Sequence, residues 1–353
     1  MRPAVNLAPL TGFALKNFLS RGAAFLAILA LALIPAAAQP PRAGNSIEKI
    51  EIRSQAIETF DPREPGRTRF GALAFRGGLV LESSHRDFGG LSSLRVAPDG
   101  EHFLAVTDKG NWLRGRIVYR DKVPVSITDA EMASILGPDG RRLKDRGWYD
   151  AEALADDGGV MYVGIERVNQ VVRFDIAKDG LGARGRPVPV PPGMKLLPHN
   201  KSIECLVMAP KGGPLAGMLI SVSERGLDTG GNLMGFLIGG AGGVFSLRRT
   251  DDFDVSDCAV APGGRLLVLE RRFSWLGGLA MRIRSVPLAS VKPGALVDGP
   301  ELIVADMGTQ IDNMEGLSVH RAADGALVLT LISDDNFLML QRTVLLQFTL
   351  IGE

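Results

Sequence analysis

Asp150-Ala151-Glu152-Ala153-Leu154, followed after the turn Asp157-Gly158-Gly159 by Gly164-Ile165-Glu166-Arg167, is the stretch that decides the fold. It reads as an acid, a short apolar run, a glycine turn, a second apolar run and a second acid with a cation behind it. Two such runs joined by glycine make a β-hairpin, because glycine supplies the positive φ of a tight turn at no steric cost. The pattern recurs on both sides. Upstream it is Gly90-Leu91-Ser92-Ser93-Leu94 to Val106-Thr107-Asp108-Lys109. Downstream it is Ser202-Ile203-Glu204-Cys205-Leu206 to Val222-Ser223-Glu224-Arg225, then Val255-Ser256-Asp257-Cys258-Ala259 to Val268-Leu269-Glu270-Arg271, then Asn313-Met314-Glu315-Gly316-Leu317 to Ile332-Ser333-Asp334-Asp335.

A third alternating run, such as Gln170 to Asp175 or Thr343 to Phe348, follows most copies and reads as a strand with one exposed face. Positions Ser92, Glu152, Glu204, Asp257 and Glu315 lie 60, 52, 53 and 58 residues apart. A three- or four-stranded antiparallel unit at that period is a propeller blade, so the fold expected is all-β, a single β-propeller. Phe70-Gly71-Ala72-Leu73 with Leu79 to Glu82 resembles a shortened further copy, which favours six blades over five. Ile47 to Phe60 is then the N-terminal strand that completes the last blade and closes the ring, removing exposed sheet edges.

Residues 1–38 read as a secretory signal peptide. Arg2, Lys16 and Arg21 precede the apolar run Ala23 to Ile34, and Pro35-Ala36-Ala37-Ala38 supplies small residues for cleavage after Ala38. The run is too short for a transmembrane helix, which needs roughly 20 residues. A periplasmic or secreted product, with a mature domain over 39–353 and no transmembrane segment, is the expectation. The formal charge is +1 and no basic patch stands out, so no nucleic-acid partner is expected. Cys205 and Cys258 are the two cysteines. Placed at the same position of consecutive repeats, they are expected beyond disulfide reach and read as two buried thiols. His85, His102, His199 and His320 are scattered without the spacing of a zinc or haem site.

In a hairpin the start of the first strand and the end of the second lie side by side, which pairs Ser92 with Asp108, Glu152 with Glu166, Glu204 with Glu224, Asp257 with Glu270, and Glu315 with Asp334. With each first strand innermost, these carboxylates converge on one channel mouth, interleaved with Lys109, Arg167, Arg225 and Arg271. One reading makes the ring a network of ion pairs that fixes blade to blade. The other leaves Glu152, Glu204, Asp257 and Glu315 as oxygen ligands of a hard cation, Ca²⁺ rather than a transition metal. The arginines then offer bidentate donors to a phosphate. Asp334-Asp335-Asn336-Phe337 reads either as an Asx-rich turn or as extra oxygen ligands at the mouth. Trp112, Trp148 and Trp275 are expected between sheets rather than on a binding surface.

Phe88-Gly89-Gly90-Leu91-Ser92, Asp150-Ala151-Glu152-Ala153-Leu154, Asn313-Met314-Glu315-Gly316-Leu317 and Ser333-Asp334-Asp335-Asn336-Phe337 together resemble the phytase-like family, which carries an esterase-like label. The resemblance spans about Phe70 to Leu350 and implies a propeller in exported bacterial proteins. No Gly-x-Ser-x-Gly elbow occurs, which disfavours a serine esterase of the α/β-hydrolase type, and Ser92 has no histidine placed to activate it. Phosphoester hydrolysis with a bound metal needs neither. The expected function is therefore a calcium-assisted phosphoester hydrolase acting on a small phosphorylated substrate. Its candidate catalytic residues are Asp108, Glu166, Arg167, Glu224, Arg225, Glu270, Arg271, Asp334, Asp335 and Asn336. The alternative is a non-catalytic propeller that binds a small ligand or a protein partner in the cell envelope.

Overall fold

Five hairpins, each extended by further strands, make five sheets arranged about one axis in the computed structural model, which describes residues 46–275 and 277–352. The signal peptide expected over 1–38 lies outside the described residues. The innermost strands are Leu91–Val96, Ala151–Asp157, Ile203–Met208, Asp254–Ala261 and Asn313–Arg321. Each neighbours the next, and the fifth neighbours the first. Each pairs antiparallel with the strand after its glycine turn, for example His102–Thr107 or Leu327–Asp334. Apolar side chains of adjacent sheets interlock as the core; Trp112 of the first blade, fully buried, meets Phe174 of the second edge to face at 5.2 Å. Of the other tryptophans, Trp148 packs against this cluster, whereas Trp275 is exposed, contrary to the inter-sheet place expected for it.

Among the described residues there are five blades, not six. Leu73–Glu82, expected within a sixth, pairs antiparallel with Thr343–Leu350 and is the fourth strand of the fifth sheet. The reason is physical: the outer edge of Thr343–Leu350 has to be covered, and this long apolar strand covers it where a short hairpin of its own would add another edge. Ile47 to Phe60 is not one strand either. Glu48–Lys49 pairs with Val123–Ser134 in the first sheet, and Arg53–Ile57 pairs with Leu73–Glu82 in the fifth. Phe60 then leaves the sheet and packs edge to face on Phe70 and Phe348, at 4.8 and 5.1 Å. Among the described residues no helix is long and apolar enough to cross a membrane.

The pairing register corrects the repeat alignment. Each innermost strand carries a β-bulge one residue after its first apolar position, at Ser92, Glu152, Glu204, Ser256 and Glu315. The fourth copy is therefore one residue out of step with the alignment expected from sequence. Ser256, not Asp257, is the equivalent of Glu204, and Arg271, opposite Asp254, stands where Asp334 stands opposite Asn313. The same slip corrects the cysteines. Cys205 follows its bulge by one residue and Cys258 by two, and this stagger brings their Cα atoms to 5.0 Å in a disulfide between the third and fourth blades.

A carboxylate-lined channel mouth as the candidate functional site

A bulge adds a residue to one strand and re-aims its side chain. Four bulge positions and four second-strand ends thereby send Ser92, Glu152, Glu204, Glu315, Asp108, Glu166, Glu224 and Asp334 to one mouth, where the acids interact electrostatically across blades. Ser92 hydrogen-bonds to Glu152 there. Carboxylate oxygens of Glu166, Glu204 and Glu224 lie within 4.8 Å of one another. One oxygen each of Glu204, Glu315 and Asp108 is buried without a hydrogen-bond partner.

Two cations answer this charge. Arg271 Nη1 is 3.0 Å from Glu315 Oε1 and its Nη2 3.4 Å from Glu224 Oε1. It also donates to Asn313 Oδ1 at 3.0 Å. Lys201 Nζ lies 3.4 Å from Glu224 Oε2. Burial alone would loosen the proton of Arg271, but Glu315, Glu204, Glu224 and Glu152 outweigh it and hold the guanidinium charged. The carboxylates are driven the other way. Burial, reinforced by the acids around them, pushes Glu152 and Glu204 well above the usual range. Burial brings Glu166 to about 7 and, against the pull of Arg271, Glu315 to about 8. Burial and then the charge of Asp334 bring Asp108 to about 7, and Asp334 itself stands at about 6. Carboxylates buried at this density, in excess of the two cations among them, favour the uptake of protons.

The remaining expected residues go elsewhere. Asp257 is not at the mouth. Its two oxygens grip Arg95 at 3.0 and 2.9 Å, and Arg95 also donates to the carbonyls of Leu206, Leu317 and Cys258, from three other blades. This pair bars the channel beneath the acids. Glu270 is fully buried between Arg282 and Arg284, 2.8 and 2.6 Å away, and stays inside its own sheet. Arg225 turns to Asp254, and Arg167 lies over the Tyr149 ring at 5.2 Å. Asp335 and Asn336 form the Asx turn. Asp335 Oδ1 accepts from the amides of Gly90 and Phe337 at 3.0 and 3.1 Å, and the Asn336 amide donates to Asp334 Oδ1. Gly90 has φ of 59°, and a Cβ there would come within 2.2 Å of Asp108 Oδ1, so glycine is what lets this turn dock beside the mouth.

Sequence reasoning missed Asp150, Lys201 and Arg95. Asp150, whose charge adds to the repulsion on Asp108, Glu152 and Glu166, heads its own copy but lies two residues before the bulge position, and Lys201 lies two residues before Ile203, outside the repeat as aligned. A signal for Arg95 was present: a guanidinium between Leu94 and Val96 in an innermost strand needs an acid inside the barrel of sheets.

A profile of the family described as phytase-like, esterase-like activity of phytase, matches residues 86–337. The chain belongs to the phytase-like family. No curated protein is significantly similar to it in sequence. In three dimensions the phytase-like chain is similar to glutaminyl cyclase of Myxococcus xanthus, with a TM-score of 0.40 and 14% identity over 75% of this chain and 92% of that one. It is similar also to an alpha-L-arabinofuranosidase of Podospora anserina in complex with cellotriose, with a TM-score of 0.46 and 10% identity over 79% and 97% of the two chains. The Cps50 β-propeller domain of Myceliophteria thermophila gives 0.36 and 9% over 84% and 99%.

Proposed function

We propose that this phytase-like protein is an exported hydrolase of small phosphate esters, working at the carboxylate mouth with a divalent cation, calcium in the first place. The observation that carries the reading is the group Glu166, Glu204 and Glu224, whose oxygens lie within 4.8 Å of one another while Glu204 keeps a buried oxygen with no partner. A pure scaffold of ion pairs would satisfy those oxygens. The donor set is all oxygen, which suits a hard cation better than zinc, whose usual sites draw on Cys and His. Glu166, Glu204 and Glu224 would hold it, and water or substrate would fill the rest of a six- to eight-oxygen shell.

When bound, such a cation draws charge from the phosphoryl oxygens. The chain's own residues do the rest. Lys201 and Arg271 stand beside the same carboxylates and offer donors to phosphate oxygens. Asp108, with its carboxyl near 7, is suited to exchange a proton at neutral pH. As the oxygen of a water bonds to phosphorus and the ester P–O bond breaks, that carboxyl gives its proton to the departing alcohol oxygen, and the carboxylate so formed takes one proton back from the attacking water's oxygen, leaving the free alcohol and hydrogen phosphate. The Arg95–Asp257 bar closes the channel below, so substrate and product share one entrance.

The test is turnover by purified protein of p-nitrophenyl phosphate, phytate and p-nitrophenyl acetate, with calcium and with a chelator. Calcium-dependent release of phosphate is expected, reduced about 100-fold in Asp108→Asn, in line with loss of a general acid. Absence of phosphate release under both conditions would defeat the enzyme reading.

A further inference from the structure

The end of the channel opposite the carboxylates opens into a cavity of about 950 Å³. It is a separate compartment, because Arg95 and Asp257 bar the axis between the two mouths. Val207, Met208, Ala259, Val260 and Val319 contribute its apolar walls, from the innermost strands of the third, fourth and fifth blades. Its size falls at the upper end of small-molecule sites, roughly 300–1,000 Å³. We infer that this second mouth binds a small amphipathic anion, with an apolar body and a single carboxylate or sulfonate end.

Charge decides the sign of the ligand. Arg95 at the floor is neutralised by Asp257. The other charged side chains that line the cavity are Lys211 and Arg321 against Asp156. Asp156 Oδ1 already accepts from the amide of Gly159 at 2.7 Å, and the Arg321 guanidinium donates only locally, to Gly325 O at 2.6 Å. The balance at the rim is one positive charge, set above walls that desolvate an apolar group. His320, also in the lining, has a lowered proton affinity through burial, then Arg76, and adds no charge at neutral pH. An apolar body gains roughly 25 cal/mol for each Å² taken from water, while a cationic ligand meets Lys211 and Arg321.

The probe is 8-anilinonaphthalene-1-sulfonate, titrated into the folded protein and followed by fluorescence. Saturable binding of one probe per chain is expected. Lys211→Glu with Arg321→Glu, both surface changes, should weaken it about tenfold, and Val260→Trp, whose indole crowds the apolar wall, should weaken it as well. Melting followed by circular dichroism verifies that each variant is folded. A cationic dye of similar size should bind at least tenfold more weakly. Non-saturable fluorescence, or an affinity unchanged in both folded variants, overturns the inference.

Discussion

At the scale of single residues, two kinds of buried carboxylate behave oppositely. Asp257 is fully buried, and beside Arg95 it also accepts from Ser93 Oγ at 2.9 Å and the Leu317 amide at 2.8 Å. Asp257→Ala leaves the Arg95 charge buried without its partner, so a loss of about 3–5 kcal/mol in urea unfolding is expected. Glu204 instead has acids for neighbours and an oxygen with no partner. Glu204→Gln removes like-charge repulsion, and the metal-free variant should melt no lower than the parent at pH 8. The reverse pattern, a tolerant Asp257 and a fragile Glu204, would mean that the roles of bar and site have been exchanged.

Within the blades, the hairpins, glycine turns and opening acids were readable because period-two apolar runs and Gly pairs are local signals. The register of the fourth blade was not, since matching Cys with Cys and acid with acid gives a better-looking alignment than the true one. Val255 holds the apolar position of Ile203 and Met314, which leaves Ser256 at the bulge and Arg271 among the acids. Strand pairing, a long-range property, decides it. That one-residue stagger is also what permits the Cys205–Cys258 bond. Reducing it, or Cys205→Ser, should cost about 2–4 kcal/mol, measured as a lower urea midpoint. No change in midpoint would show the bond to be idle. The sixth blade was misread for a related reason: Leu73–Glu82 has strand chemistry, but its partner lies at the other end of the chain.

Over the whole molecule, the crowded mouth couples folding to protons. Asp334, Asp108 and Glu315 stand at about 6, 7 and 8, whereas carboxylates of an unfolded chain titrate near 4. The folded state then binds protons more tightly, so this contribution to stability is complete below about pH 4 and is lost as pH rises through the folded values. The metal-free protein should therefore melt at lower temperature at pH 8.5 than at pH 5. A melting temperature that climbs across this window contradicts the assignment. The most direct measurement is calorimetric titration of Ca²⁺ into the protein at pH 7.5. One saturable site is expected, weakened at least tenfold in Glu204→Gln and retained in Asp335→Asn, whose carboxylate already accepts from Gly90, Phe337 and Thr343. No saturable heat, or equal affinity in Glu204→Gln, would contradict a cation site built by the carboxylate ring.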